Sequence, residues 1–372
     1  MAVGFAQWGN DLYTGRTSYD IVGKRRTFYL ASAVLVLLSL VILLTRGFNL
    51  GIEFRGGSEF TVSDVATTSQ QEALDAVATV SPTEQPRISS VGTNALRVQT
   101  AELDEDEVVA VRDALATAYG VSADDVTSSF IGPSWGADVS GKALTGLIVF
   151  LVLVTLVMSV YFRAWRMAAA ALIALFHDLI ITAGVYALIG WEVTPATVIG
   201  FLTILGYSIY DTVVVFDKVR ENTADITKQT RSTYAEQANL AVNQTLVRSI
   251  NTSVVALLPV ASILFIGAFV LGAGTLRDIA LALFVGMAVG TYSSIFLATP
   301  VEVTLRTREP AIVEHTTAVL ARRSEALAAA GGSGETMAEE VAKASQVQYT
   351  GQLSPGTHLG HAAQPRKRKG AR

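Results

Sequence analysis

Gly206-Tyr207-Ser208-Ile209-Tyr210-Asp211-Thr212-Val213-Val214-Val215-Phe216-Asp217 sets a carboxylate, Asp211, inside an apolar run that otherwise has the length and composition of a membrane-crossing helix. An ionisable group in hydrocarbon costs roughly 2.5–3.5 kcal/mol on insertion scales, so it marks an ion path or a buried polar contact. The rest of the 372-residue chain agrees with a bilayer setting: 51% of residues are hydrophobic, 16% are charged, and the mean hydropathy is +0.43. That balance is far from a soluble domain of this length. Spanning the hydrocarbon takes about 20 apolar residues in a helix. Six runs qualify, near 27–45, 143–162, 167–191, 195–216, 249–272 and 279–301. The first follows Lys24-Arg25-Arg26 but is longer than a signal-peptide core, and it is read as a retained span. With no cysteine, disulfides, iron–sulfur clusters and thiolate metal sites are excluded.

Lys and Arg in the loops orient the chain, because short segments outside the membrane disfavour positive charge. With the amino terminus in the cytoplasm, 21 of the 28 basic residues fall inside and 7 outside. Both termini are then cytoplasmic. Residues 48–141 hold 15 Asp and Glu against 4 Arg and form an acidic domain outside. Alternation at Phe60 and Val62 predicts a strand over 58–63, a helix follows over 69–80 with Ser69 as N-cap, and strands over 87–91 and 96–100 flank the turn Gly92-Thr93-Asn94. A second helix over 102–119, ended by Gly120, and a strand over 126–131 complete the order βαββαβ, that of a ferredoxin-like sandwich.

The expected division is therefore a cytoplasmic leader over 1–26, a first transmembrane helix over 27–47, the ferredoxin-like extracytoplasmic domain over 48–141, helices two to six over 142–303, and a largely disordered cytoplasmic tail over 304–372. The leader places Phe5, Trp8 and Leu12 at helical spacing, which suits a membrane interface or a loosely ordered segment equally. The tail carries a flexible joint, Gly331-Gly332-Ser333-Gly334, and a basic end, Arg366-Lys367-Arg368-Lys369. That end reads as a solvated run enforcing orientation, with anionic lipid or ribosomal RNA as the competing contact; no nucleic-acid partner is expected overall.

Asp211 lies about 9 Å along the helix from Asp217, where charges resume. A partner that comes and goes there makes a proton switch; the alternative is a hydrogen-bonded packing carboxyl. His177 and Asp178 fall near the middle of the third span, where a proton relay and a bridge between helices are both open. Arg248 opens the fifth span and can either snorkel to the interface or turn inward to an acid such as Asp211. Asn251, Thr252 and Ser253 follow it, suited to interhelical hydrogen bonds or to a wet path, and Pro259 leaves a carbonyl unpaired in the same span. Gly286 and Gly290 have the GxxxG spacing of close helix packing. No Walker A sequence and no His-Glu-x-x-His occur, and Tyr210-Asp211 lacks the Gly-x-Gly-Asp companion of intramembrane aspartyl proteases. No catalytic residue, metal or cofactor is expected, and any work must be driven by a gradient or a partner.

Four segments together resemble the SecF family, the smaller membrane subunits of the bacterial SecDF accessory complex and relatives of the RND transporters. They are Gly51-Ile52-Glu53-Phe54-Arg55-Gly56-Gly57, the fourth-span ending Asp217-Lys218-Val219-Arg220-Glu221-Asn222, residues 248–253, and Gly290-Thr291-Tyr292-Ser293-Ser294-Ile295-Phe296. The resemblance implies a multi-pass protein of the cytoplasmic membrane that pairs with SecD and uses the proton gradient to assist export of unfolded preprotein through SecYEG. YajC is a further candidate partner, alongside membrane lipids. It also implies Asp211 as the relay acid and Arg248 as its basic partner, with Asp178 a further relay candidate. Ser208, Tyr210, Thr212, Asn251 and Thr252 are expected to line a polar path, and Gly51, Glu53, Gly56 and Gly57 to form the joint to the outer domain. The family usually has Asp where this chain has Glu53, and Asn where it has Tyr210. A passive scaffold for SecD and the channel, or an RND-like exporter of lipid or small molecules, are the alternatives.

Overall fold

A computed structural model describes residues 4–84, 86–91, 94–270 and 274–329. Helix α1 (Phe5–Tyr13) precedes α2 (Arg25–Arg46), the first of six helices among the described residues that are long and apolar enough to cross a membrane. A two-residue strand β1 (Asn49–Leu50) and a single helical turn α3 (Ile52–Arg55) then lead into the βαββαβ unit. Its elements are β2 (Gly57–Val62), α4 (Gln70–Val80), β3 (Arg87–Val91), β4 (Ala95–Thr100), α5 (Glu105–Tyr119) and β5 (Val126–Ile131). The order matches the sequence expectation. The sheet runs β3-β4-β2-β5, antiparallel throughout, with β2 paired to β4 from Ser58↔Thr100 to Val62↔Leu96.

Phe60, Val62, Leu96 and Val98 on the sheet pack against Val77 of α4 and Val111 and Leu115 of α5, closing a core separate from the membrane helices. Ser69 precedes α4 in extended conformation, but its hydroxyl caps nothing. The second helix starts later than expected because Asp104 caps it: Asp104 accepts from Glu107 N while Glu107 accepts from Asp104 N, a reciprocal box. Gly120 ends it in the left-handed conformation.

The remaining membrane helices are α6 (Pro133–Phe162) and α7 (Trp165–Ile189), then, after the strand β6 (Glu192–Val193), α8 (Pro195–Thr223), α9 (Tyr234–Ser262) and α10 (Gly274–Ser293). α9 runs on as a π-helix over Ile263–Val270, following Pro259; α10 continues through a π-turn at Ser294–Ala298 into α11 (Thr299–Arg306). α6 begins at Pro133, ahead of the apolar run and within the stretch assigned to the outer domain: proline suits a first helical position, and Gly136 lets the backbone of α3 lie against the helix. A Cβ on Gly136 would sit 2.7 Å from the Phe54 carbonyl oxygen.

Both ends hold structure where they are described. Within the stretch expected to be largely disordered, α12 (Pro310–Ala329) is a helix docked on the loop between α8 and α9. Arg323 holds Glu236 at 2.6 and 2.8 Å, and His315 meets the Gln229 carbonyl at 2.7 Å, while Ile312 and Val319 are buried. The Gly-rich joint and basic end lie outside the described residues. The leader is likewise built in. Leu12 is fully buried, Asn239 of α9 accepts from Ile21 N at 2.9 Å and Val22 N at 3.0 Å, and Asn243 accepts from Tyr19 N at 2.7 Å. These amides satisfy an irregular backbone that would otherwise lie buried without partners.

Candidate functional site

α8 opens with a Thr194/Thr197 capping box and Pro195 at its first turn. Its buried face then recurs at Ile204, Ser208, Asp211, Val215 and Val219, the spacing of one helical stripe. Asp211 is 3% exposed. Its two carboxylate oxygens accept from Ser249 of α9, at 2.9 Å, and from Ser294 at the start of the π-turn. No Lys or Arg pairs with it among the described residues.

A second buried carboxylate lies on the other side of the same helices. Asp178 of α7 is fully buried and accepts from Ser208 at 2.6 Å and Ser293 at 2.7 Å. Its neighbour His177 places Nδ1 3.0 Å from it, stacks on Tyr292, and leaves Nε2 buried without a hydrogen-bond partner. Adjacent residues on a helix diverge by about 100°, which is how Ser293 reaches one acid and Ser294 the other. The π-turn begins at the second of these serines; such turns recur at functional sites.

Gly290 and Gly286 make this approach possible. A Cβ on Gly286 would lie 2.3 Å from Ile204, and one on Gly290 3.2 Å from Ser208 Cβ and 3.5 Å from Asp178 Oδ2. The GxxxG face thus packs on α8 of its own chain. A further set of hydroxyls adjoins the acids: Thr291 donates to Ser253 at 2.6 Å, Tyr207 to Ser253 at 3.3 Å, and Ser253 to the Ser249 carbonyl at 2.8 Å.

The expected residues therefore separate. Asp211, Asp178, Ser208 and Thr212 are buried together between helices, but Ser208 serves Asp178 rather than Asp211. Arg248, expected beside Asp211, is exposed, and the next residue, Ser249, takes its place. Arg248, Asn251 and Thr252 instead line an open cavity of about 660 Å³ with Asp217, Lys218 and Glu221. Tyr210 is 56% exposed and turns away from Asp211. Ser249, Ser293 and Ser294 were not singled out; they lie beside or within the quoted motifs, but nothing in a helical row of hydroxyls tells which one meets an acid.

At the joint, β1 pairs in parallel with β6, Asn49↔Glu192 and Leu50↔Val193, and Gly51 N donates to Val193 O at 3.0 Å. Glu192 is in turn held by Arg97, at 3.4 Å, and by Gln99, at 3.1 Å, both on β4. Gly56 and Gly57 have φ of +78° and +134°. They serve a turn and a close approach, because the Thr100 carbonyl occupies the space a Gly57 side chain would need. The joint is thus a tight turn held down by the β1–β6 bridge.

Burial pushes the Glu53 carboxyl above its usual range, and the nearby Glu59 and Glu192 add to this, offset in part by hydrogen bonding and by Arg97. A raised carboxyl pKa means the folded state loses stability as pH climbs from the unfolded value of 4.5 through the folded one. Glu53→Gln is expected to raise the thermal midpoint at pH 7 by on the order of 1–2 °C and to leave it unchanged below about pH 4. Melting curves at the two pH values check this.

Comparison with known proteins accords with this architecture. The family model described as "Protein export membrane protein SecD/SecF, C-terminal" matches residues 110–308, and "SecD/SecF GG Motif" matches residues 41–63, which include Gly56-Gly57. Protein translocase subunit SecF of Streptomyces coelicolor is 48% identical over 332 residues, 89% of this chain and 88% of that protein. The SecF of Mycobacterium tuberculosis H37Rv is 41% identical over 362 residues, 92% of this chain and 81% of that one. The crystal structure of SecDF from Thermus thermophilus, a translocon-associated membrane protein, superposes with a TM-score of 0.69 at 32% identity, covering 79% of this chain and 39% of that one. With both family models matched and relatives aligned over most of its length, this multi-pass bacterial membrane protein belongs to the SecF branch of the SecD/SecF protein-export family.

Proposed function

We propose that the chain is the SecF half of a SecD–SecF pair in the cytoplasmic membrane, coupling inward proton flow to late steps of preprotein export through SecYEG. Both termini face the cytoplasm, the βαββαβ unit is a ferredoxin-like domain on the outer side, and no enzymatic step is involved. YajC and membrane lipids complete the expected surroundings. The observation that carries this reading is Asp211: a buried carboxylate inside an apolar helix, held by two serine hydroxyls and, among the described residues, by no cation.

Hydroxyls suit an acid that changes charge, because each can donate to a carboxylate or rotate to accept from a carboxylic acid. Both protonation states of Asp211 then keep hydrogen bonds through Ser249 and Ser294. Arg248 supplies the gate. It sits one residue from Ser249, so turning α9 by about 100° exchanges the hydroxyl for the guanidinium opposite Asp211. Pro259 and the π-helix that follows interrupt the hydrogen-bond ladder of α9 and lower the cost of such a turn. Asp178, with Ser208, Ser293 and His177 around it, is a second site for the proton.

The test is preprotein translocation into inverted vesicles holding SecYEG, SecD and this chain, with and without a proton gradient. The expected result is gradient-dependent stimulation that requires the chain; equal stimulation without a gradient would identify a scaffold instead.

A further inference from the structure

An open cavity of about 580 Å³ lies where the first membrane helix meets the βαββαβ unit, lined by Arg46, Arg55, Arg87, Phe48, Asn49 and Glu192 among others. Residues 48–141 carry 15 acids and only 4 arginines, and two of those four face this cavity together with Arg46 from the end of α2. Such concentration of scarce positive charge is not what a solvated acidic surface requires. The cavity's acid, Glu192, is already engaged by Arg97 and Gln99.

The arginines are not neutralised. Arg46 donates one N–H to the Leu188 carbonyl at 3.0 Å, and Arg87 donates one to Asn49 Oδ1. Arg55 has no hydrogen bond or ion pair among the described residues. Desolvation, and then repulsion from Arg87, push the Arg55 guanidinium below its usual range. Each guanidinium presents five N–H groups in a planar fork, so most of the donors around the cavity are unspent. A bound anion would relieve the repulsion and fill those forks.

The position selects among anions. Arg46 ends a membrane-crossing helix, the level at which headgroup phosphates lie. Leu44, 85% exposed, and Leu188, 50% exposed, leave apolar surface beside it. A ligand with a phosphate above acyl chains uses both features, whereas a free anion uses only the arginines. We propose that Arg46, Arg55 and Arg87 form a site for the phosphodiester of an anionic membrane lipid, anchoring the base of the βαββαβ unit to the bilayer surface. This rests on α2 crossing the membrane and is independent of export or proton flow.

The full chain, released from phosphatidylcholine nanodiscs with or without phosphatidylglycerol, is followed by native mass spectrometry. Phosphatidylglycerol is expected to remain on the native chain about tenfold more than on the double variant Arg55→Gln/Arg87→Gln. Arg112→Gln, which removes an arginine paired with Asp113 on α5, should retain lipid like the native chain. The double variant should melt no lower than native protein in lipid-free detergent, since it loses a repulsion. A second arm adds inorganic phosphate alone. Equal retention by native chain and double variant, equal retention of phosphatidylcholine, or displacement of the lipid by millimolar phosphate would each overturn the site.

Discussion

Asp211→Asn is expected to remove the gradient-dependent part of preprotein translocation, by at least about tenfold, while the complex still assembles and gradient-independent transport persists. Asparagine matches aspartate in size and can meet Ser249 and Ser294 with its own donor and acceptor, since both hydroxyls rotate. Packing between α8, α9 and α10 is therefore preserved. What the amide lacks is a second charge state. A relay that must alternate between neutral and anionic forms stops, whereas a carboxyl that only packs is replaced without consequence. Translocation into inverted vesicles, at equal abundance of native and variant complexes, separates these outcomes. An unchanged response to the gradient would remove the relay role from Asp211.

Gly57→Ala is expected to destabilise the βαββαβ unit by on the order of 3 kcal/mol. Two costs add. A φ of +134° is one that a residue with a Cβ rarely adopts, and the new methyl would lie 2.3 Å from the Thr100 carbonyl oxygen. That oxygen is backbone in the sheet, so it cannot swing aside as a flexible side chain could. Relief comes only by separating β2 from β4 at the Ser58↔Thr100 end. The expected readout is faster proteolysis of the domain and a lower first melting transition in the full-length protein. Gly132→Ala is the matched control: nothing lies closer than 3.9 Å to a Cβ there, and the poorer N-cap is offset by reduced freedom of the unfolded chain, so the change should stay within about 1 kcal/mol.

The parts legible from sequence were those written in long periodicities. Six apolar runs became six long helices, and the alternation around Phe60 and Val62 placed β2 to within a residue of its observed start and end. Shorter devices were not legible. The β1–β6 bridge has two residues on each side, too few for any pattern to emerge. For Arg248 the residues left snorkelling and an inward turn both open, and only the family resemblance set it beside Asp211; one helical step decides the matter, and sequence does not fix the rotation of α9. Ser294 was out of reach for the same kind of reason: in a row of hydroxyls along one helix, sequence does not say which one faces the acid. The helix α12 could have been found. Ile312, His315 and Val319 are buried at spacings of three and four, a stripe hidden by the alanine-rich, charged composition around it.

The parallel bridge between β1 and β6 has a mechanical consequence. Besides its two chain connections, to α2 and to α6, the domain is bolted at a third point to the loop that joins α7 to α8. Glu192, gripped by Arg97 and Gln99, fastens that loop to the sheet as well. Any swing of the domain must either snap these bonds or drag the loop along. From Pro195 to Asp211 the chain is one unbroken helix, a rod about 24 Å long. On the proposed relay, torque applied at the domain would travel along this rod to the buried carboxylate, and a change of charge at the carboxylate would be felt in turn at the domain.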